Sequence, residues 1–198
     1  MNVFSDEDSS DASESILFHS WVVNKISDFL EVLEADLGRG CASHLEAILA
    51  QSMYFGLSFS RVGADFRPQL VPIFLVASER IFNEQVDRAE QDFQDHMANF
   101  HLSDSVSLFS APVSTAVGVS IQPPPTLLEY LPLAVIANGC QTAFTNLRLC
   151  CPLALGPRVK RRLTLLGQKV VERITQLHRA EAASFTGTYP VLPSSRQP

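Results

Sequence analysis

The chain has 198 residues, of which 46% are hydrophobic and 18% charged, so it carries enough apolar surface to fold and is not a disordered protein over most of its length. Its formal net charge of -6 argues against a dedicated nucleic-acid binder. That charge is uneven: residues 1–36 hold nine acids against the single Lys25, while residues 148–179 hold eight bases against the single Glu172.

Residues 1–15 are Ser, Asp and Glu with few apolar groups, too little to repay ordering by burial, and are expected to be a disordered acidic tail. The first helical segment is expected over residues 16–102. It opens with Val22, Ile26, Phe29, Leu30, Leu33 and Leu37, whose three- and four-residue steps make one helical stripe that Gly38 and Gly40 stop. A second helix follows from about Ala42 to Ser58, and the short "LGRG" connection implies an antiparallel pair. Tyr54, Phe55, Leu57 and Phe59 make the end of this second helix apolar nearly all round, as expected where one helix touches neighbours on several sides.

"SRVGAD" then breaks the period. Asp65 is a good N-cap and Pro68 is tolerated in a first turn, so a third helix of about 32 residues is expected, with Pro72 near enough to its start to be accommodated. "RVGAD" has one glycine and no lysine, which is not the framework of a phosphate loop. Arg61, Asp65 and Arg67 are instead expected to form a salt-bridged elbow fixing the angle between two helices.

Residues 103–125, rich in Ser and Pro, lack either period and are expected to be a flexible linker. The second helical segment is expected over residues 126–185, as one helix from Leu127 to about Cys151 and another from Val159 to about Phe185. Residues 186–198 are turn-rich and expected to be a disordered tail. The uncharged run from Tyr130 to Leu147 approaches membrane-spanning length, but Pro132, Asn138, Gly139, Gln141 and Asn146 mark it as a buried helix.

No catalytic, cofactor or metal site is expected. Cys41 and His44 lie at i and i+3, yet a closed zinc site needs four ligands and no second pair of suitable spacing occurs. The weaker alternative is a cysteine-dependent enzyme, in which one of the four cysteines meets a distant histidine. The start of the chain lacks a charged-then-apolar leader, and no glycosylation sequon occurs, which favours a reducing, cytosolic setting. A third reading comes from "RVKRR": Arg158, Lys160, Arg161 and Arg162 sit where a helix begins, disfavoured there by the macrodipole, and are a candidate anionic-surface contact for a peripheral membrane-binding module.

"HSWVVNKISDFLEVLEADLGRG", "MYFGLSFSRVGADFRPQLVPIF", "NLRLCCPLAL" and "HRAEAASF", in this order, resemble segments of the family of subunit eight of the conserved oligomeric Golgi complex. The resemblance covers residues 16–185 and implies a shortened or fragmentary member. It implies an all-α fold, an elongated array of antiparallel amphipathic helices of the helical-rod tethering type. By the same resemblance the chain is a non-enzymatic vesicle-tethering subunit without cofactors, peripheral on the cytosolic face of the Golgi membrane, acting in intra-Golgi retrograde transport and maintenance of glycosylation. The implied partners are other subunits of that complex, notably subunit one and those of the second lobe, together with SNAREs and Rab GTPases, and no nucleic acid.

Overall fold

A computed structural model describes residues 7–40, 44–101, 127 and 129–186. Among them are five α-helices and no strand: α1 (Glu7–Gly38), α2 (Leu45–Ser60), α3 (Arg67–Ala98), α4 (Leu131–Leu149) and α5 (Gly156–Thr186), with a 3-10 turn at Leu153–Leu155. The all-α array is therefore as expected. The linker expected over 103–125, the tail from 187 onward and Cys41 lie outside the described residues.

One boundary differs. Helix α1 begins at Glu7, well ahead of the Ile16 start expected from the apolar stripe. Extending an existing helix avoids the nucleation penalty, so the helix runs on ahead of Val22 although residues 13–21 are exposed.

The chain forms two compact units. The first takes residues Met1–Gln85 and Gln141–Gly156, the second Val86–Cys140 and Pro157–Pro198. In the first unit, the Phe29 and Phe55 rings meet at 6.2 Å on either side of the turn at Arg39 and Gly40, so α1 and α2 form the expected antiparallel pair. The α1 end is closed by Arg39 N–H bonds to the Ala35 and Asp36 carbonyls, and by Gly40 at φ +109°, a conformation other residues adopt at a cost.

Helix α3 returns alongside α1, because Phe66 packs on both Phe29 and Phe59, at 5.6 and 5.9 Å, while farther on Arg80 donates to the Leu37 carbonyl at 2.5 Å. That carbonyl belongs to the last turn of α1 and has no partner within its own helix. Pro72 lies inside α3 but only in its second turn; the bond it forgoes is one to Pro68, which faces water.

The first core joins Val22, Leu33 and Leu37 of α1 to Leu70 and Phe74 of α3 and to Cys150. The Phe82 ring meets Phe144 at 6.0 Å, and Ser78 bonds Cys150, so α4 runs antiparallel to α3 within this unit.

In the second unit, Val86, Ala89, Phe93 and Met97 form the buried stripe of α3, with Ala134 and Ile136 of α4 and Leu166 of α5 also buried. Gly139 of α4 lies against Ala89 so closely that an added Cβ would overlap the Ala89 methyl and come within 3.2 Å of its Cα. No helix among the described residues is long and apolar enough to cross a membrane, in keeping with the reading of the Tyr130 to Leu147 run.

Candidate functional site

The elbow between α2 and α3 is built from adjacent residues. Asp65 Oδ1 accepts the Arg67 backbone N–H at 3.0 Å, an N-terminal cap, and the same carboxylate takes a two-pronged grip from the guanidinium, Nε at 2.9 Å and Nη2 at 2.6 Å. Those bonds hold the Asp65 carboxyl at about 2, below its ordinary 3.8, and raise Arg67 further. Arg61 does not join them: it is exposed and makes no side-chain pair among the described residues, so the three residues singled out from sequence resolve into a pair and a bystander.

Two further features of the elbow were missed in the sequence. Gly56 of α2 is buried beneath Arg67, whose Cγ would overlap any Cβ placed there. Gly63, at φ +77°, turns the chain.

The elbow carries a pH test. Because the folded Asp65 value is depressed, its contribution is complete above 3.8 and is lost as pH falls toward about 2. Asp65→Asn retains a capping oxygen without the charge. Its melting temperature is expected to fall less steeply than the wild type's across that window in thermal scans, and parallel slopes would refute the role assigned to Asp65.

The basic run divides similarly. Arg162 is 18% exposed in its side chain and turns inward within the second unit, bonding Asp87 at 2.5 Å and Glu90 at 3.0 Å; Lys169 pairs with the other Glu90 oxygen. Partial burial works to raise the Glu90 carboxyl, but hydrogen bonds from Lys169 and Arg162 outweigh it and the group sits below its usual range. For Arg162, burial pulls downward and is outweighed by its bonds to Asp87 and Glu90. Arg162 is thus engaged in holding α5 to α3, while Arg158, Lys160 and Arg161 are exposed on α5.

The described cysteines form no catalytic pair. Cys150 and His44 line one cavity of 420 Å³ in the first unit with Ser78, Glu46 and Asn146. The Cys150 sulfur accepts the Ser78 hydroxyl at 3.5 Å, and no hydrogen bond joins it to His44 among the described residues. Cys140, half-buried, has its thiol pushed up by burial, with the Arg162 charge pulling the other way, so it is a poor thiolate. No group of three or more metal-binding side chains gathers among the described residues.

Surface chemistry is more distinctive than any cavity. On α2, Tyr54, Phe55 and Leu57 are 68%, 49% and 50% exposed, which corrects the expectation that neighbours surround this helix end: the first unit buries the side bearing Ser52 and Gly56 and touches Phe55 and Phe59, leaving Tyr54 and Leu57 open. On α1, Ile16, Leu17, Phe18 and Trp21 are more than half exposed, and the Phe18 and Trp21 rings stack at 6.3 Å. Large apolar groups left open in this way are what a subunit interface requires.

Residues 2–91 match the Dor1-like family. The chain is 45% identical, over 93% of its length, to conserved oligomeric Golgi complex subunit 8 of Bos taurus, and 42% identical over the same share to that of Homo sapiens. To the subunit 8 of Drosophila melanogaster it is 42% identical over 87% of the chain. It spans about a third of each relative's length, 32%, 32% and 30% respectively. No solved structure matches it.

Proposed function

We propose that the chain, whose residues 2–91 match the Dor1-like family, is a non-enzymatic subunit of a multisubunit Golgi vesicle-tethering complex, acting in intra-Golgi retrograde transport and so in the maintenance of glycosylation. The observation that carries this reading is a likeness to subunit 8 that runs through nearly the whole chain. Supporting it are the open aromatic and aliphatic groups on α1 and α2. The mechanism is association: helix faces bury apolar surface against other subunits, with charge setting which faces meet.

Other subunits of that complex are the partners, with subunit one and the second-lobe subunits as the direct neighbours, and SNAREs and Rab GTPases as the proteins the assembly engages. Residence is peripheral, on the cytosolic face of Golgi membranes. Direct binding of anionic lipid through Arg158, Lys160 and Arg161 is the second reading, weakened by the inward pairing of Arg162.

A tagged full chain expressed in cells with an intact complex is expected to co-purify with the other subunits in constant proportion. Recovery of the chain free of every one of them would overturn the proposal.

A further inference from the structure

Helix α5 carries a seam that its own unit covers only in part. Val159, Leu163, Leu166, Val170, Arg173 and Leu177 follow one another at alternating steps of four and three residues, the spacing that turns one side of a helix toward a second helix over several turns. Leu166 is buried. From Gly167 to Ser184 no residue is, and Val170, Arg173 and Leu177 are half-buried. The seam thus runs on past the part that the second unit fills.

One member of the seam is charged. Beside its covered part, Arg162 and Lys169 both find acids on α3, Asp87 and Glu90. Arg173 is different: its Nε is shielded from water and has no hydrogen-bond partner among the described residues. A guanidinium desolvated on one edge without an acceptor works against folding, so its place in the seam calls for a partner that supplies one. The side chain is only half-buried, which leaves its outer edge within reach of a carboxylate, the group that takes two parallel N–H bonds from it. Charge around the seam points the same way. Helix α5 holds seven bases against Glu172 and Glu181, and an acidic partner is drawn to it before contact. A second copy laid parallel in the same register would set Arg173 against Arg173 and is disfavoured.

We propose that the C-terminal half of α5 is a docking seam for an acidic amphipathic helix of another subunit, whose apolar residues cover Val170 and Leu177 and whose Asp or Glu pairs with Arg173. A single charged residue within an apolar seam fixes register and partner at a cost in stability. This rests on the reading of the chain as a subunit of an assembly, and adds to it where on the chain the contact lies and what its partner carries.

The test places a photo-crosslinking amino acid at Ile174, which flanks the seam and is 37% exposed, in the full chain within the isolated assembly, and maps the attached peptide by mass spectrometry. The expected product joins this position to a different subunit, in a segment where apolar residues recur every three or four positions and Asp and Glu outnumber Lys and Arg. Arg173→Glu is expected to cut the yield about tenfold, and exchanging the partner's acid for Lys in that background to restore most of it. Arg173→Leu separates docking from folding. The variant chain alone is expected to unfold at a higher urea concentration than the wild type, because a guanidinium whose Nε lacks an acceptor has left the seam, while the crosslink falls severalfold. A lower urea midpoint would show that Arg173 has its partner inside the chain and would overturn the proposal. So would a crosslink to lipid, to a second copy, to the chain's own residues or to a basic segment, or a yield indifferent to the sign of the charge at position 173. If position 174 fails to crosslink while the chain still enters the assembly, the docking seam falls and the subunit reading stands; if the wild-type chain never enters an assembly, both fall.

Discussion

Replacing Gly139 by leucine is expected to destabilise the second unit by about 3 kcal/mol, the upper part of the usual range for an overfilled core. Glycine inside a helix normally costs about 1 kcal/mol relative to alanine, so its presence in the middle of α4 needs a reason, and Ala89 supplies it. The overlap falls on a methyl group attached directly to the α3 backbone, not on the free end of a long side chain, so relief requires the helices to move apart. Gly139→Ala is expected to do less, because the better helix propensity offsets part of the clash. Ala89→Gly in that background is expected to recover most of the loss, a coupling that two independent sites would not show. Urea unfolding of the three variants measures this, and a Gly139→Leu chain as stable as the wild type would remove the close approach from the description.

Glu90→Gln is expected to loosen the second unit by about 2 kcal/mol, the cost of leaving a partly buried charge short of its partner. Arg162 would keep Asp87, whose side chain is 67% exposed, as its charged partner, and Lys169 would lose its charged partner, the amide oxygen of glutamine remaining as one neutral acceptor. A fully buried pair broken on one side costs about 3–5 kcal/mol; the residual exposure of Glu90 and Arg162, 17% and 18%, lowers the figure here. Hydrogen exchange along α5 is the direct readout, because faster exchange is expected there than in α1. The pH dependence has a definite sign. The Glu90 carboxyl is depressed in the folded chain, so its contribution is present above the ordinary value of 4.5 and fades as pH falls below it, and Glu90→Gln is expected to lack that component. Equal exchange in wild type and variant would leave the cluster without a stabilising role.

The helices were legible because burial in each unit follows the helical period: Val22, Ile26, Leu33 and Leu37 are both the stripe in the sequence and the core in the structure. Asp65 was legible as a cap for a similar reason, since a cap acts on the residue two places along. Contacts between distant residues left no such trace. Arg162 reads as one of a basic run, and only the fold brings it to Glu90, 72 positions earlier. Gly139 and Gly56 carried a faint signal, an isolated glycine within a helical pattern, but what each admits, Ala89 in one case and Arg67 in the other, is decided by helix packing. The early start of α1 escaped because the stripe reports burial, and residues 13–15, the described side chains just ahead of Ile16, are exposed.

Neither unit is one continuous stretch of chain, and this sets the order of events during synthesis. The first unit consists of Met1–Gln85 completed by Gln141–Gly156, so α1 to α3 leave the ribosome before the strip that carries Cys150 and Phe144 exists. Ser78 waits 72 residues for Cys150. A nascent chain halted in between holds a hairpin and a third helix with one flank open, the kind of transient apolar surface on which chaperones act. Folding of the N-terminal half is thereby tied to translation of the fourth helix, and a premature stop anywhere before residue 141 removes part of both units at once.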